Sequence, residues 1–141
     1  AIAIDPNASP PGRMRWFDLD HLEGPPHLRC WICRVPDLDE ALQTAPPGLG
    51  EPVDLERGGL KWRMAVPDTG ILPYDNVYPA LIQWQGDMHP ASMLADSGCS
   101  LRSLTVTHPD VEPLRRDLEG IVPVRVEKGE PGLSAEIDTP H

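Results

Sequence analysis

The sequence has little with which to cross-link itself and no basic surface with which to grip a polyanion. Its three cysteines, an odd number, argue against a disulfide framework and for a reducing, cytoplasmic setting. Twelve Lys and Arg stand against twenty-two Asp and Glu, a formal net charge of −10, and the basic residues form no cluster. A nucleic-acid binder needs a basic face to displace counterions, so that class is set aside. The acidic balance reads as charge that keeps the chain soluble. No apolar run approaches the ~20 residues of a membrane span. No secretory signal is read at the start, because Ala1–Ile4 is short and "DPNASPPG" follows at once. Also lacking are G-x-S-x-G, P-loop, H-E-x-x-H and G-x-G-x-x-G patterns, so none of the chemistries they carry is indicated.

What is plentiful is proline, eighteen residues of it. The prolines gather in "NASPPG", "EGPPH", "APPGLGEP" and "PDTGILPYDNVYP", and apolar periodicity resumes after each cluster. They punctuate loops between patterned segments.

The patterned segments repeat. "LRCWICRVPDL" from Leu28 aligns without a gap on "LRSLTVTHPDV" from Leu101. Each alternates as a strand does and is followed by a predicted helix. In the first, Asp37 is the N-cap with Glu40 three residues on, and Leu38, Ala41, Leu42 and Ala45 form one stripe. In the second, Asp110 is the N-cap, Pro113 is tolerated in the first turn, and Val111, Leu114 and Leu118 form the stripe. Residues 50–67 then lie over 120–140, each copy reading as two short strands joined by a glycine-containing turn. "PALIQWQ" adds one more strand to the first copy. The unit is β-α-β-β-β. The expected organisation is a single domain over 1–141: residues 1–6 as the last strand of one unit, 27–86 as a whole unit, and 99–141 as an incomplete one. Edges left by a missing unit would be covered by another chain segment or a partner copy, so a homodimer or strand exchange is expected.

Strand alternation sorts the candidate residues by face. Trp31, Cys33 and Val35 share an apolar face, matched by Leu104 and Val106, and should lie beneath the helices. Cys30 and Cys33 then point to opposite faces, so "CWIC" neither chelates zinc nor forms a redox pair. Gln83 and Gln85 point the same way from "LIQWQ", with Arg63 as a candidate neighbour, and two glutamines aimed alike suggest a cavity lining. "RMRWFDLD" is expected to strap over the core by Trp16 and Phe17. His89 and His108, each before proline, read as residues of a loop and of the approach to a helix.

Repeated β-α-β-β-β units, with "IAIDP…GRMRWFDLD", "LRCWICRVPDLDEAL", "GLKWRMAVPDTG", "LIQWQ", "DSGC" and "VTHPD", resemble the bacterial glyoxalase-like domain family of the vicinal oxygen chelate superfamily (glyoxalase/bleomycin-resistance/dioxygenase). The resemblance implies an α+β fold of tandem βαβββ units forming a curved, cup-like mixed sheet with helices on the outer face. It also implies a small oxygenated metabolite in the cup, and a divalent metal held by His, Glu or Gln and acting as a Lewis acid in a lyase, isomerase or dioxygenase. The alternative is a protein of the bleomycin-resistance kind that sequesters its ligand. Where the family pattern has His before the strand tryptophan, this sequence has Cys30. The expected ligand contacts are therefore Cys30, Arg63, Gln83 and Gln85, around a small anionic or oxygen-rich molecule, with no tight metal site formed by this stretch alone.

Overall fold

The computed structural model describes residues 3–86, 89–121 and 123–140. The chain runs β1 (Ile32–Arg34), α1 (Leu38–Thr44), β2 (Glu51–Arg57), β3 (Leu60–Val66), β4 (Ala80–Trp84), β5 (Ser100–His108), α2 (Val111–Leu118), β6 (Arg125–Lys128) and β7 (Gly132–Asp138), with 3-10 turns at Trp16–His21 and Pro90–Met93. The fold is α+β, with two mixed sheets, one ordered β1-β4-β3-β2 and the other β6-β5-β7.

The first unit follows the sequence pattern closely. β2 and β3 form an antiparallel hairpin, and β3 pairs antiparallel with β4. The parallel pairing of β1 with β4 closes the unit. α1 begins where its cap predicts, since the Asp37 side chain accepts from the Glu40 N–H at 2.9 Å. The helix lies over β3 and β4 and buries Leu38 completely. β1 is shorter than the alternation suggests. Pairing reaches one residue beyond it on either side, through Ala80 N–H to the Trp31 carbonyl and Val35 N–H to the Ile82 carbonyl. Leu28–Cys30 lies outside the sheet, with Arg29 paired to the Asp18 carboxylate.

The second unit shares the order of elements and differs in its pairing. β6 lies parallel to one side of β5, and β7 lies antiparallel to the other, so β6 and β7 form no hairpin with each other. The short link between β6 and β7 steps across the end of β5. Thr107 Oγ1 donates to the carbonyl of Glu130 at 2.8 Å, and Gly129 N–H donates to the His108 carbonyl. Alternation with a glycine turn describes a hairpin and a step over one strand equally well. What selects the step is α2, which covers β5 and β6 together. Of the segment expected to end a preceding unit, Ala1 and Ile2 lie outside the described residues, and residues 3–6 carry no strand pairing.

One core joins the two sheets. Leu38, Tyr78 and Leu81 from the first unit and Val106, Leu114 and Leu118 from the second belong to the same buried cluster. Cys33 is buried in it, Cys30 is half-buried, Cys99 is exposed, and all three thiols are free. Burial raises the pKa of both Cys30 and Cys33. An aromatic disulfide reagent at neutral pH is therefore expected to modify Cys99 fast and the other two only as fast as the domain opens. Three equally fast thiols would contradict the packing. Among the described residues no helix is long and apolar enough to cross a membrane.

Candidate functional site

Of Cys30, Arg63, Gln83 and Gln85, the structure brings Arg63 and Gln83 together. Arg63 and Gln83 are register partners on neighbouring strands, and they stand on the face covered by α1. Arg63 grips both carboxylate oxygens of Asp39 at 2.7 and 3.0 Å, with Asp54 nearby at 3.8 Å. The guanidinium beside Asp39 holds that carboxyl below its usual pKa. Gln83 Oε1 accepts from the Leu38 N–H at 3.0 Å, one of the N–H groups that the first turn of a helix leaves without a backbone partner. These polar residues share a face, as parity predicts, and they tie α1 to its sheet. Gln85 lies exposed past the end of β4. Cys30 sits two residues before β1, against the core. The opposite face of β3 and β4 is apolar: Trp62 lies against Trp84 with ring centroids 5.2 Å apart, and Met64 pairs with Ile82. The strap reads as expected, with Phe17 buried and Trp16 half-buried against the core.

Polar groups converge elsewhere. A cleft of about 520 Å³ is lined by Asp18, His27–Arg29, Ile71, Asp75–Val77 and Pro131–Leu133. Four segments distant in sequence meet there, three from the first unit and its strap and one from the β6–β7 link.

Two of these segments are held in an unfavourable backbone conformation. Among the described residues five non-glycine ones have positive φ, namely Phe17 (60°), Asp18 (53°), Tyr74 (56°), Asp75 (53°) and Asn76 (75°). Asp and Asn tolerate this region, whereas aromatic residues enter it only when the surroundings compel them. Asp18, Asp75 and Asn76 line the cleft, and Phe17 and Tyr74 directly precede them in sequence, so all five adjoin one feature. Such strain, of order 1–3 kcal/mol per residue, persists where the surrounding structure over-determines it and gathers at working sites.

The constraints are specific. At the strap, Asp18 N–H donates to the Gly70 carbonyl, its Oδ1 lies 2.6 Å from His21 Nδ1, and its Oδ2 receives Arg29 Nη2. At the left-handed turn, Asn76 N–H donates to the Leu72 carbonyl, while Asn76 Oδ1 accepts from the Leu72 N–H at 3.0 Å. Trp31 Nε1 holds the far end of the turn through the Val77 carbonyl at 2.7 Å. Tyr74 donates to the Asp117 carboxylate at 2.5 Å, and Tyr78 donates to the Asp117 carbonyl at 3.1 Å.

The tyrosines give a pH signature. Desolvation first, and the Asp117 carboxylate after it, push the Tyr74 phenol up to about 12, while burial pushes Tyr78 up as well. Raised phenol pKa values mean that the folded state keeps its protons longest. Stability is then fully present below the ordinary phenol pKa of about 10 and falls as pH rises from there through about 12. The thermal midpoint is expected to hold to about pH 10 and then drop, with a shallower drop in Tyr74→Phe. An identical decline in that variant would contradict the role given to Tyr74.

The cleft holds some groups already satisfied by protein and others that are not. Arg29 spends its charge on Asp18. Asp75 gives one oxygen to His108 Nε2 at 3.2 Å, and its side chain is 72% exposed. His27 Nδ1 lies 3.0 Å from the Pro25 carbonyl. A carbonyl only accepts, so Nδ1 bears a hydrogen, and in the neutral tautomer the lone pair stands at Nε2. Asn76 Nδ2 and Arg29 Nε are buried with no acceptor among the described residues.

The two-sheet α+β domain thus carries a strained, polar cleft between its units. The family model for the glyoxalase-like domain matches residues 1–122, and the chain belongs to that family, part of the vicinal oxygen chelate superfamily. Neither a search of curated proteins nor one of solved structures found a match. A divalent metal, implied by the superfamily, does not fit the described residues. Among them no three His, Cys, Asp or Glu gather as a metal-holding group. The one glutamine near the sheet's centre, Gln83, has its oxygen committed to α1.

Sequence reasoning passed over Asp18, Asp75 and Asn76. The Asp-Asn pair between prolines in "PYDNVYP" is a recognisable left-handed-turn signal. Nothing local shows that the turn faces the strap.

Proposed function

We propose that this glyoxalase-like domain binds a small, hydroxyl-bearing metabolite in the cleft between its two sheets. The observation that carries the reading is the gathering of strained, polar backbone at Asp18, Asp75 and Asn76 around one cleft. The unspent groups of the cleft favour hydroxyls. The second Asp75 oxygen and the His27 Nε2 lone pair accept from donors, and Asn76 and Arg29 hold nitrogens that need acceptors. A hydroxyl group supplies both. An anion is disfavoured, because the guanidinium of the cleft, Arg29, is paired with Asp18 and the chain carries a net charge of −10. Binding and holding the ligand is the role these residues support.

Calorimetric titration with meso-erythritol, D-ribose, glycolate and inorganic phosphate tests this. The neutral polyols are expected to bind more tightly than the two anions, and Asp75→Gly to weaken them about tenfold. Glycine is chosen because it accepts the φ of 53° at this position. Tighter binding of phosphate or glycolate, or polyol binding indifferent to Asp75, would overturn the reading.

A further inference from the structure

His108 ends β5, and its side chain is 5% exposed. Its surroundings fix its tautomer. The Asp110 N–H lies 3.0 Å from Nδ1 and can only donate, so Nδ1 carries the lone pair. The ring proton is then on Nε2, 3.2 Å from Asp75 Oδ2. The ring also stands edge-on to Tyr74, with centroids 5.2 Å apart and planes at 89°. A single imidazole therefore satisfies the start of α2 with one nitrogen and reaches across to the left-handed turn of the other unit with the second. Asp75 is the turn residue whose carboxylate is otherwise mostly in solvent. No local constraint on it matches those on its neighbours, Tyr74 through Asp117 and Asn76 through Leu72.

We propose that His108 is a positioning residue of the cleft. Its Nε2–H holds the Asp75 carboxylate, so the second sheet sets the geometry of a wall that the first unit contributes. A free carboxylate at this turn would sample several rotamers, and a ligand donor would have to order it on binding. One hydrogen bond to a buried, rigid ring orders it beforehand. The proposal rests on the binding role given to the cleft, and its test separates the two.

Two substitutions divide the functions of the ring. His108→Gln places an amide nitrogen near the position of Nε2 and loses the acceptor for the Asp110 N–H. His108→Asn keeps an acceptor near Nδ1, as in a turn closed by an Asn side chain, and cannot reach Asp75. Long-range proton–nitrogen spectra of the unliganded wild type are expected to show a neutral ring protonated on Nε2. The Asp75 and Asn76 amide signals should stay near their wild-type positions in His108→Gln and move in His108→Asn. Erythritol should bind His108→Gln within about twofold of wild type and His108→Asn about tenfold more weakly. A ring protonated on Nδ1, or amide signals at Asp75 and Asn76 that ignore His108→Asn, would overturn the proposal. If erythritol binds no form of the protein, the binding role fails, and the tautomer and amide signals still decide whether His108 positions Asp75. Should both variants fail to fold, Asp75→Gly serves instead, since it removes the acceptor at an exposed side chain. The His108 Nε2–H resonance is then expected to shift, and an unshifted resonance would overturn the proposal.

Discussion

Gly50→Ala is expected to abolish cooperative folding at 25 °C, while Gly59→Ala leaves a folded domain. The two glycines have the same φ, +81°, so the left-handed penalty of roughly 1–2 kcal/mol is common to both. They differ in what a methyl group would meet. At Gly59 nothing lies within 4 Å. At Gly50 the added carbon would stand 1.9 Å from the Val66 carbonyl oxygen, 2.2 Å from its carbon and 2.6 Å from the Pro67 nitrogen. These are backbone atoms at the end of β3, fixed by the pairing of Glu51 with Val66. Relief therefore means separating β2 from β3. That cost exceeds the ~4 kcal/mol that marks an exceptional substitution and approaches the whole stability expected of a domain, about 5–15 kcal/mol. Circular dichroism and urea unfolding of both variants check it. Equal destabilisation of the two would show that only the dihedral matters and that the close approach is wrong.

Leu114→Ala is expected to cost about 2–5 kcal/mol while leaving a single unfolding transition. Leu114 is fully buried on α2, and it belongs to the same cluster as Tyr78 and Leu38 of the first unit. Truncation leaves a cavity that the neighbouring Val106 and Leu118 can fill only in part. Because the cluster is continuous and Asp117 on the same helix holds Tyr74 and Tyr78, loosening α2 loosens both sheets. Urea unfolding followed by fluorescence and by far-ultraviolet dichroism should show coincident, shifted curves. Two separated transitions, one unaffected by the substitution, would mean that the units have separate cores.

Local pattern carried much of the fold. The Asp37 cap, the α1 stripe, the β2–β3 hairpin and the burial of Cys33 follow from nearest neighbours and parity alone, and these features form as read. The apolar stripe of α2 at Leu114 and Leu118 also holds, although Asp110 makes no side-chain cap and the preceding His108 receives its N–H instead. That substitution was within reach of the sequence, because His108 continues the alternation of Leu104 and Val106 and so belongs on their buried side. The pairing of the second sheet was not legible, since the sequence does not record which side of β5 a strand takes. The site was hardest to read. Gln83 and Arg63 looked like polar groups facing a ligand, and their partners, the Leu38 N–H and the Asp39 carboxylate, come from a helix that parity leaves out. The cleft depends on the strap, the left-handed turn and the β6–β7 link, three irregular segments brought together only by tertiary packing.

Amide chemical-shift mapping of the erythritol-bound domain tests the central claim most directly, because it locates the ligand without assuming a reaction. The expected perturbations fall on Leu28, Arg29, Asp75, Asn76, Gly132 and Leu133, on both sides of the cleft, and saturate together at one dissociation constant. Perturbations centred on Trp62, Met64 and Trp84, or on Arg63 and Gln83 beneath α1, would place the ligand on the first sheet and contradict the account.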